Sequence, residues 1–330
     1  MKINRNIRPT NKFSLLRKAV LNCAILCLLF ITAIARAGCT ITATPTPQNL
    51  GTTSASNVYN ASISTSGPGG LSCSGLSIGL AATSTVNGTV TSTTNGFNLV
   101  NTGNAAAKIP YNLYGDNTTN FPFRLNSTMD YGSGGLNLLN LLLVGTGGST
   151  TVYVRTSPGA NIPAGLYTDT IVINWYARMC LLNALGVCVT LDPPATGTST
   201  IQISLTVTNN CVINSTPNVQ FTSSPLVEQF QPITQSVTLT CTLQAPYKAY
   251  FSSGSNFQSP WRQMKGSSTN MLQYNIYYPT TSTVWDSTTP LLANGTGLTQ
   301  SISYTTAINP NQLQQPQDNY TDSINFTVEY

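Results

Sequence analysis

Histidine is absent from all 330 residues, and charged residues make up only 7% of them. Without histidine no Ser-His-Asp or Cys-His nucleophilic site can be assembled, and the usual nitrogen ligand for zinc is missing. A carboxylate pair would be the remaining enzymatic option, since glycoside hydrolysis needs two acids. The acids are sparse, however, and two of them, Asp169 and Asp322, occupy matching places in two repeated segments. That placement fits a shared turn or strand-start hydrogen bond better than chemistry. No catalytic residue, metal ligand or cofactor is assigned, and an enzyme is not expected. Long stretches of helical periodicity are also missing. Short alternating runs divided by Gly, Pro and Asn recur instead, as in an all-β protein.

Residues 1–37 read as an export signal. Lys2, Arg5, Arg8, Lys12, Arg17 and Lys18 form a basic start, Ala19 to Ile34 is mostly apolar, and Ala35-Arg36-Ala37 offers a small-x-small cleavage site. The apolar run is shorter than the roughly 20 residues of a membrane span. Of the fourteen Lys and Arg, seven lie in this leader, which holds none of the nine acids. The remainder therefore carries seven basic against nine acidic residues, and no basic face is left for nucleic acid. Of eight cysteines, Cys23 and Cys27 leave with the signal. The other six allow several connectivities. The local pairing Cys39–Cys73, Cys180–Cys188 and Cys211–Cys241 is adopted, because the first and third pairs are similarly spaced and each opens one copy of a repeat. Disulfides imply an oxidising compartment.

The repeat divides the remaining residues, about 290 in number, into two domains of a usual size. Cys39-Thr-Ile-Thr-Ala-Thr-Pro45 matches Cys211-Val-Ile-Asn-Ser-Thr-Pro217. Ile109-Pro-Tyr-Asn-Leu-Tyr114 matches Leu272-Gln-Tyr-Asn-Ile-Tyr277, and Tyr167-Thr-Asp169 matches Tyr320-Thr-Asp322. We expect two immunoglobulin-like antiparallel β-sandwich domains, 38–209 and 210–330. In the first, a strand with Ile171, Ile173 and Trp175 on one face is followed by another, Ser199 to Val207, with Ile201, Ile203, Leu205 and Val207 aligned. In the second, the matching strand is placed at Tyr320–Tyr330 with Ile324, Phe326, Val328 and Tyr330 facing inward, and no seventh strand follows. The expected result is an apolar groove beside an unpaired edge formed by those four residues, a hazard unless a partner strand fills it.

These marks together resemble the spore coat U domain family, which supplies the subunits of archaic, Csu-type chaperone–usher pili. Residues 211–330 match it throughout, with Arg262-Gln-Met264 and Trp285 also in pattern. Residues 39–176 match more loosely around an insertion at 115–149 and a tail at 177–209. The resemblance implies subunits that lack their last strand. A periplasmic chaperone supplies one during passage to the outer-membrane usher, and the next pilus subunit then replaces it by β-strand addition. Cleavage before Gly38 would leave no donor segment ahead of Cys39. The resemblance therefore implies a subunit at the pilus tip, exported through the periplasm to the cell exterior, with residues 38–209 as a surface-binding head and 210–330 as the pilin domain.

Strand alternation places the loops of the head that point away from the pilin domain. Two are apolar: Leu136, Leu138, Leu139, Leu141, Leu142, Leu143 and Val144 in one, and Leu181, Leu182, Ala184, Leu185 and Val187 between Cys180 and Cys188 in the other. The first could equally be a buried strand, and the second a hairpin folded onto its own domain. As exposed fingers they would attach the cell to apolar or host surfaces by hydrophobic burial, the start of a biofilm. The competing expectations are a shaft or adaptor subunit or a coat-like secreted protein without receptor function, and a carbohydrate-binding module using Tyr114, Phe121 and Phe123.

Overall fold

The computed structural model describes residues 38–74, 85–131, 148–179, 182–184, 187–189 and 193–330. The leader, the Leu136–Val144 run, Cys180, Leu181 and Leu185 lie outside the described residues. Two hydrophobic cores are present, one in 38–208 and one in 211–330.

The first domain begins with β1 (Gly38–Ile41), β2 (Thr46–Ser54) and a short helix α1 (Ala55–Asn60), capped by the Ser54 hydroxyl accepting from the Asn57 amide at 3.3 Å. There follow β3 (Ser64–Ser74), β4 (Thr85–Thr93), β5 (Asn98–Asn101), β6 (Asn104–Tyr114), β7 (Thr128–Asp130), β8 (Gly148–Thr156) and β9 (Gly165–Arg178). A small hairpin of β10 (Leu182–Ala184) and β11 (Val187–Val189) precedes β12 (Ala195–Thr208). The main sheet runs β1-β3-β8-β6-β5-β9-β12-β2, with β4 on β9 and β7 on β4. The first part of β6 pairs with β5 and its end with β8, so this strand carries the sheet round from one layer to the other. Ladders between the described strands are antiparallel except that of β2 and β12, which run parallel.

Alternation builds this core. Tyr167, Ile171, Ile173 and Trp175 of β9 are buried, as are Ile201, Ile203, Leu205 and Val207 of β12, the strand beside it. Their intervening residues stay partly or fully exposed, the period-two signature of a sheet with one wet face.

The second domain holds β13 (Cys211–Ser215), a 3₁₀ turn (Val227–Gln229), β14 (Ile233–Cys241), β15 (Pro246–Phe251), β16 (Arg262–Lys265), β17 (Met271–Tyr277), β18 (Leu291–Asn294), β19 (Thr299–Ile308) and β20 (Phe326–Glu329). One layer is β13-β14-β19-β17-β16 and the other β18-β15-β20. The strands β16 and β18 were not expected, because Arg-Gln-Met-Lys and Leu-Leu-Ala-Asn carry no apolar alternation; β16 exists through its pairing with β17 and β18 through its pairing with β15. The last strand is also shorter than the expected Tyr320–Tyr330. Residues before Phe326 are committed to a corner, and among the described residues β20 has one ladder partner, β15.

Each domain is stapled at the same place. Cys39 lies opposite Cys73 on β1 and β3, and Cys211 opposite Cys241 on β13 and β14, with S–S distances of 2.06 and 2.05 Å. The domains meet through a short connection. Asn210 accepts from the Ser56 amide at 3.3 Å and donates its side-chain amide to the Ser56 hydroxyl at 2.8 Å, while its backbone amide donates to Thr242 Oγ1 at 2.9 Å.

Candidate functional site

A constellation of side chains is repeated in both domains, on the first residues of β9 in one and just ahead of β20 in the other. Tyr111 donates its hydroxyl to Asp169 Oδ2 at 2.8 Å, and Tyr274 donates to Asp322 Oδ2 at 2.7 Å. The other oxygen of Asp169 accepts from the amides of Asn95 and Thr170, and that of Asp322 from Ser255 and Ser323. Two residues earlier, Tyr167 donates to the Pro163 carbonyl at 2.6 Å and Tyr320 to the Pro316 carbonyl at 2.7 Å. These corners aim the chain into the sandwich so that the following residues must alternate inward and outward. Burial raises the Asp169 carboxyl above its ordinary range, against the pull of its donors. Both acids are thus structural, and the equivalence Tyr167–Trp175 to Tyr320–Val328 holds in geometry.

That equivalence exposes a difference between the domains. In the first, β9 is sealed on one side by β4 and β5 and along the whole of the other by β12, from Val207 opposite Gly165 to Ala195 opposite Ala177. Ile171 and Ile173 are 0% exposed and Trp175 is 1% exposed. In the second, β20 pairs with β15, from Phe326 opposite Phe251 to Glu329 opposite Lys248, and its other edge has no strand partner among the described residues. Ile324, Phe326 and Val328 are accordingly half-buried against the core, and Tyr330 is 61% exposed. Sequence reasoning placed these four residues at the edge of a groove. The structure packs the first three against the second core, with Phe326 5.0 Å from Phe251 and 5.9 Å from Trp285 by ring centroids.

The opposite wall was not foreseen. In the first domain β12 lies between β9 and the parallel strand β2. In the second, residues 216–225, which follow β13 as β2 follows β1, form no ladder, yet Val219 and Phe221 pack against the core. Phe221 meets Phe230 edge-on at 6.1 Å. The Val-x-Phe alternation was there to be read, but Pro217 and Pro225 bracket it and hid it as a loop.

Arg262 was noted as part of a pattern without a role. It is 1% exposed and spans the layers at the closed side of the domain, donating to the carbonyls of Ser252, Phe251 and Trp285 at 2.8, 3.2 and 3.0 Å and to Asn275 Oδ1 at 3.3 Å. Burial lowers its pKa, partly opposed by Tyr274, Asp286 and Asp322 nearby. At the exposed end of β20, Glu329 accepts from Lys248 at 2.7 Å and from Tyr250 at 2.6 Å, and the bond to Lys248 is the main cause holding its carboxyl below the usual range.

The head loops can be placed by their ends. Cys73 lies opposite Gly148, Thr85 opposite Arg178, and Ala177 opposite Ala195, so these strand ends share the pole away from the second domain. The β10–β11 hairpin has Leu182 opposite Val189, Asn183 opposite Cys188, and Ala184 opposite Val187. The Cys180–Cys188 pairing and the Leu136–Val144 run fall outside the described residues. The aromatics suggested for carbohydrate are drawn toward the core to different degrees, Tyr114 being half-buried on β6. Phe123 is buried against Tyr131 at 6.2 Å, and Phe121 packs on the core. Among the described residues no group of three His, Cys, Asp or Glu could hold a metal, and no helix is long and apolar enough to cross a membrane.

Comparison with known proteins returns no match among curated sequences. Among solved structures, the chain is similar to a chain of the CsuC-CsuE chaperone-tip adhesion subunit pre-assembly complex from archaic chaperone-usher Csu pili of Acinetobacter baumannii. The identity is 21% and the TM-score 0.60, over 89% of this chain and 100% of that one. The CupB6 tip adhesin from Pseudomonas aeruginosa matches at 10% identity and a TM-score of 0.32, over 90% and 96% of the two chains. The family model of the Spore Coat Protein U domain matches residues 25–174 and again 197–327. With most of its length so matched, the chain belongs to the spore coat protein U domain family.

Proposed function

We propose that the protein is the tip adhesin of an archaic chaperone–usher pilus. Residues 38–209 form the surface-binding head, and 210–330 form a pilin domain joined to the fibre by an added strand. One observation carries the reading: Ile324, Phe326 and Val328 stand half-covered beside an open edge, where Ile171, Ile173 and Trp175 of the sister domain are sealed by β12. An incomplete sandwich of this kind is stable when a partner contributes main-chain hydrogen bonds and alternate side chains. The sister domain also supplies the expected terms. An added strand runs antiparallel to β20 and parallel to residues 216–225, as β12 runs between β9 and β2. By the register of β12, large apolar side chains face Tyr320, Asp322 and Ile324, as Leu205, Ile203 and Ile201 face their equivalents, and small ones face Phe326 and Val328, as Ser199 and Gly197 do.

The partners in this reading are a periplasmic chaperone during export, the outer-membrane usher, and the next pilus subunit in the finished fibre. The head's far pole carries the Leu136–Val144 and Cys180–Cys188 segments toward apolar or host surfaces, supporting attachment and biofilm growth outside the cell. A fold shared with a chaperone-bound tip adhesion subunit supports this reading. The test is purification with and without an archaic-type periplasmic chaperone. The chain is expected to be a soluble monomer only with the chaperone; a stable monomer obtained without it would reject the strand-acceptor reading.

A further inference from the structure

The joint between the two domains has a counterpart at the free pole of the second domain. In the first domain, the pole facing its neighbour is built from α1 and the loop 157–164, held together by the Gly159 amide donating to the Tyr59 carbonyl at 2.8 Å. Asn161 in that loop reaches across and donates to the Thr296 carbonyl at 3.0 Å. The approach there is so close that a Cβ on Gly297 would lie 1.6 Å from Asn161 Oδ1. The second domain carries the same parts at its far pole. Its 3₁₀ turn Val227–Gln229 follows the first-strand segment as α1 does. The loop 309–319 precedes Tyr320 as 157–164 precedes Tyr167. The two are clasped by the Val227 amide donating to Gln314 Oε1 at 3.1 Å and by Gln314 Nε2 donating to Glu228 at 2.7 Å.

The equivalent tyrosine-to-proline bonds, Tyr167 to Pro163 and Tyr320 to Pro316, align Ala160 and Asn161 with Leu313 and Gln314. Ala160 packs at the edge of the first core beside the joint, whereas Leu313 is 85% exposed and Leu226, next to the turn, is 39% exposed. Two exposed leucines at the place where the sister domain has a neighbour mark a surface fitted for one. Strand direction points the same way. β12 runs toward the joint and hands over to Cys211 within three residues of Thr208. A strand laid antiparallel on β20, as β12 is on β9, leaves the second domain at the Leu226–Leu313 pole.

We propose that this pole is the seat for the body of a further β-sandwich domain of the same family, docked on the second domain as the second is docked on the first. The inference rests on the strand-acceptor reading above, and the test separates the two. Residues 195–210 are placed directly ahead of Cys39, reproducing the chain's own strand and handover, so that each extended molecule can donate to the groove of another. In parallel, a free peptide of residues 195–210 is bound to the unextended chain. Both are made with and without the paired substitution Leu226→Ser, Leu313→Ser, and dissociation is followed after dilution. Loss of two buried leucines at the docking face is expected to speed dissociation of the head-to-tail polymer by roughly tenfold or more, while peptide release stays unchanged. Unchanged polymer dissociation, or an equal acceleration of peptide release, would overturn the docking face and leave the groove standing. If neither peptide nor extended chain binds, the groove reading fails and the docking face with it.

Discussion

At the scale of single residues, the two domains are one design used twice. Asp169 and Asp322 each take a tyrosine hydroxyl on one oxygen and two backbone amides on the other. The sequence made the aspartates visible through the repeated Tyr-Thr-Asp, and their structural role followed from the repeat alone. Their partners Tyr111 and Tyr274 were visible as motif residues but not as donors, because the distance between them in sequence hides the contact. Asp169 is 2% exposed and its folded pKa is raised by burial. The folded state therefore holds this proton more tightly than the unfolded one, and the cost of the buried charge is relieved as pH falls through the folded value. Asp169→Asn keeps the acceptor for the amides and should be close to neutral or stabilising at pH 7. Its advantage should shrink as the pH is lowered toward 4. Asp169→Ala leaves the amides and Tyr111 without a partner and should cost about 2–4 kcal/mol. Urea unfolding across that pH range measures both, and an advantage for Asn that grows with acid would contradict the assignment. Arg262 is the residue sequence reasoning undervalued. Its fork serves three carbonyls and an amide oxygen at once, which an ammonium cannot do. Arg262→Lys should destabilise the second domain by about 2 kcal/mol or more, read as a shift in the thermal midpoint of that domain; an unshifted midpoint would remove its role as a clasp.

At the scale of elements, what was legible depended on whether a strand has a wet face. The alternation in β9 and β12 gave their inward residues correctly, because period two is imposed by the pleat. Strands held by pairing rather than by burial pattern, β16 and β18, left no trace in the sequence. The length of β20 was overestimated for a related reason. Alternation continues from Tyr320 to Tyr330, but a ladder needs a partner, and β15 reaches only Phe326 to Glu329. The crossing of β2 into parallel pairing with β12 was equally hidden, since parallel and antiparallel strands share one alternation. The apolar loops expected on the head are legible in composition alone, and the Leu136–Val144 run lies outside the described residues. The adhesive proposal belongs at this scale. Leu181, Leu182 and Leu185 changed together to Ser should reduce attachment to polystyrene or other apolar surfaces about tenfold or more, with secretion and pilus assembly unaffected. Equal attachment by this variant would reject the hairpin as the contact.

At the scale of the whole molecule, one asymmetry separates the sister domains: β9 is paired on both sides, whereas β20 has one ladder partner among the described residues. The first domain's β9 is paired on both sides and its inward residues are buried, while the second domain keeps Ile324, Phe326 and Val328 partly exposed. An unpaired strand edge beside half-covered apolar residues is unfavourable in isolation, and in the proposed reading an arriving strand relieves it. The direct measurement is to fuse a copy of Ala195–Thr208 behind Tyr330 through a short turn, so that the chain's own seventh strand is offered to the open edge. Amide hydrogen exchange and thermal unfolding are then compared with the parent chain. The fusion should protect the amides of β20 and raise the midpoint of the second domain by about 10 °C, with the first domain unchanged. Exchange and midpoint identical to the parent would mean that the edge of β20 is no acceptor, and the placement of this protein at the end of a pilus would lose its foundation.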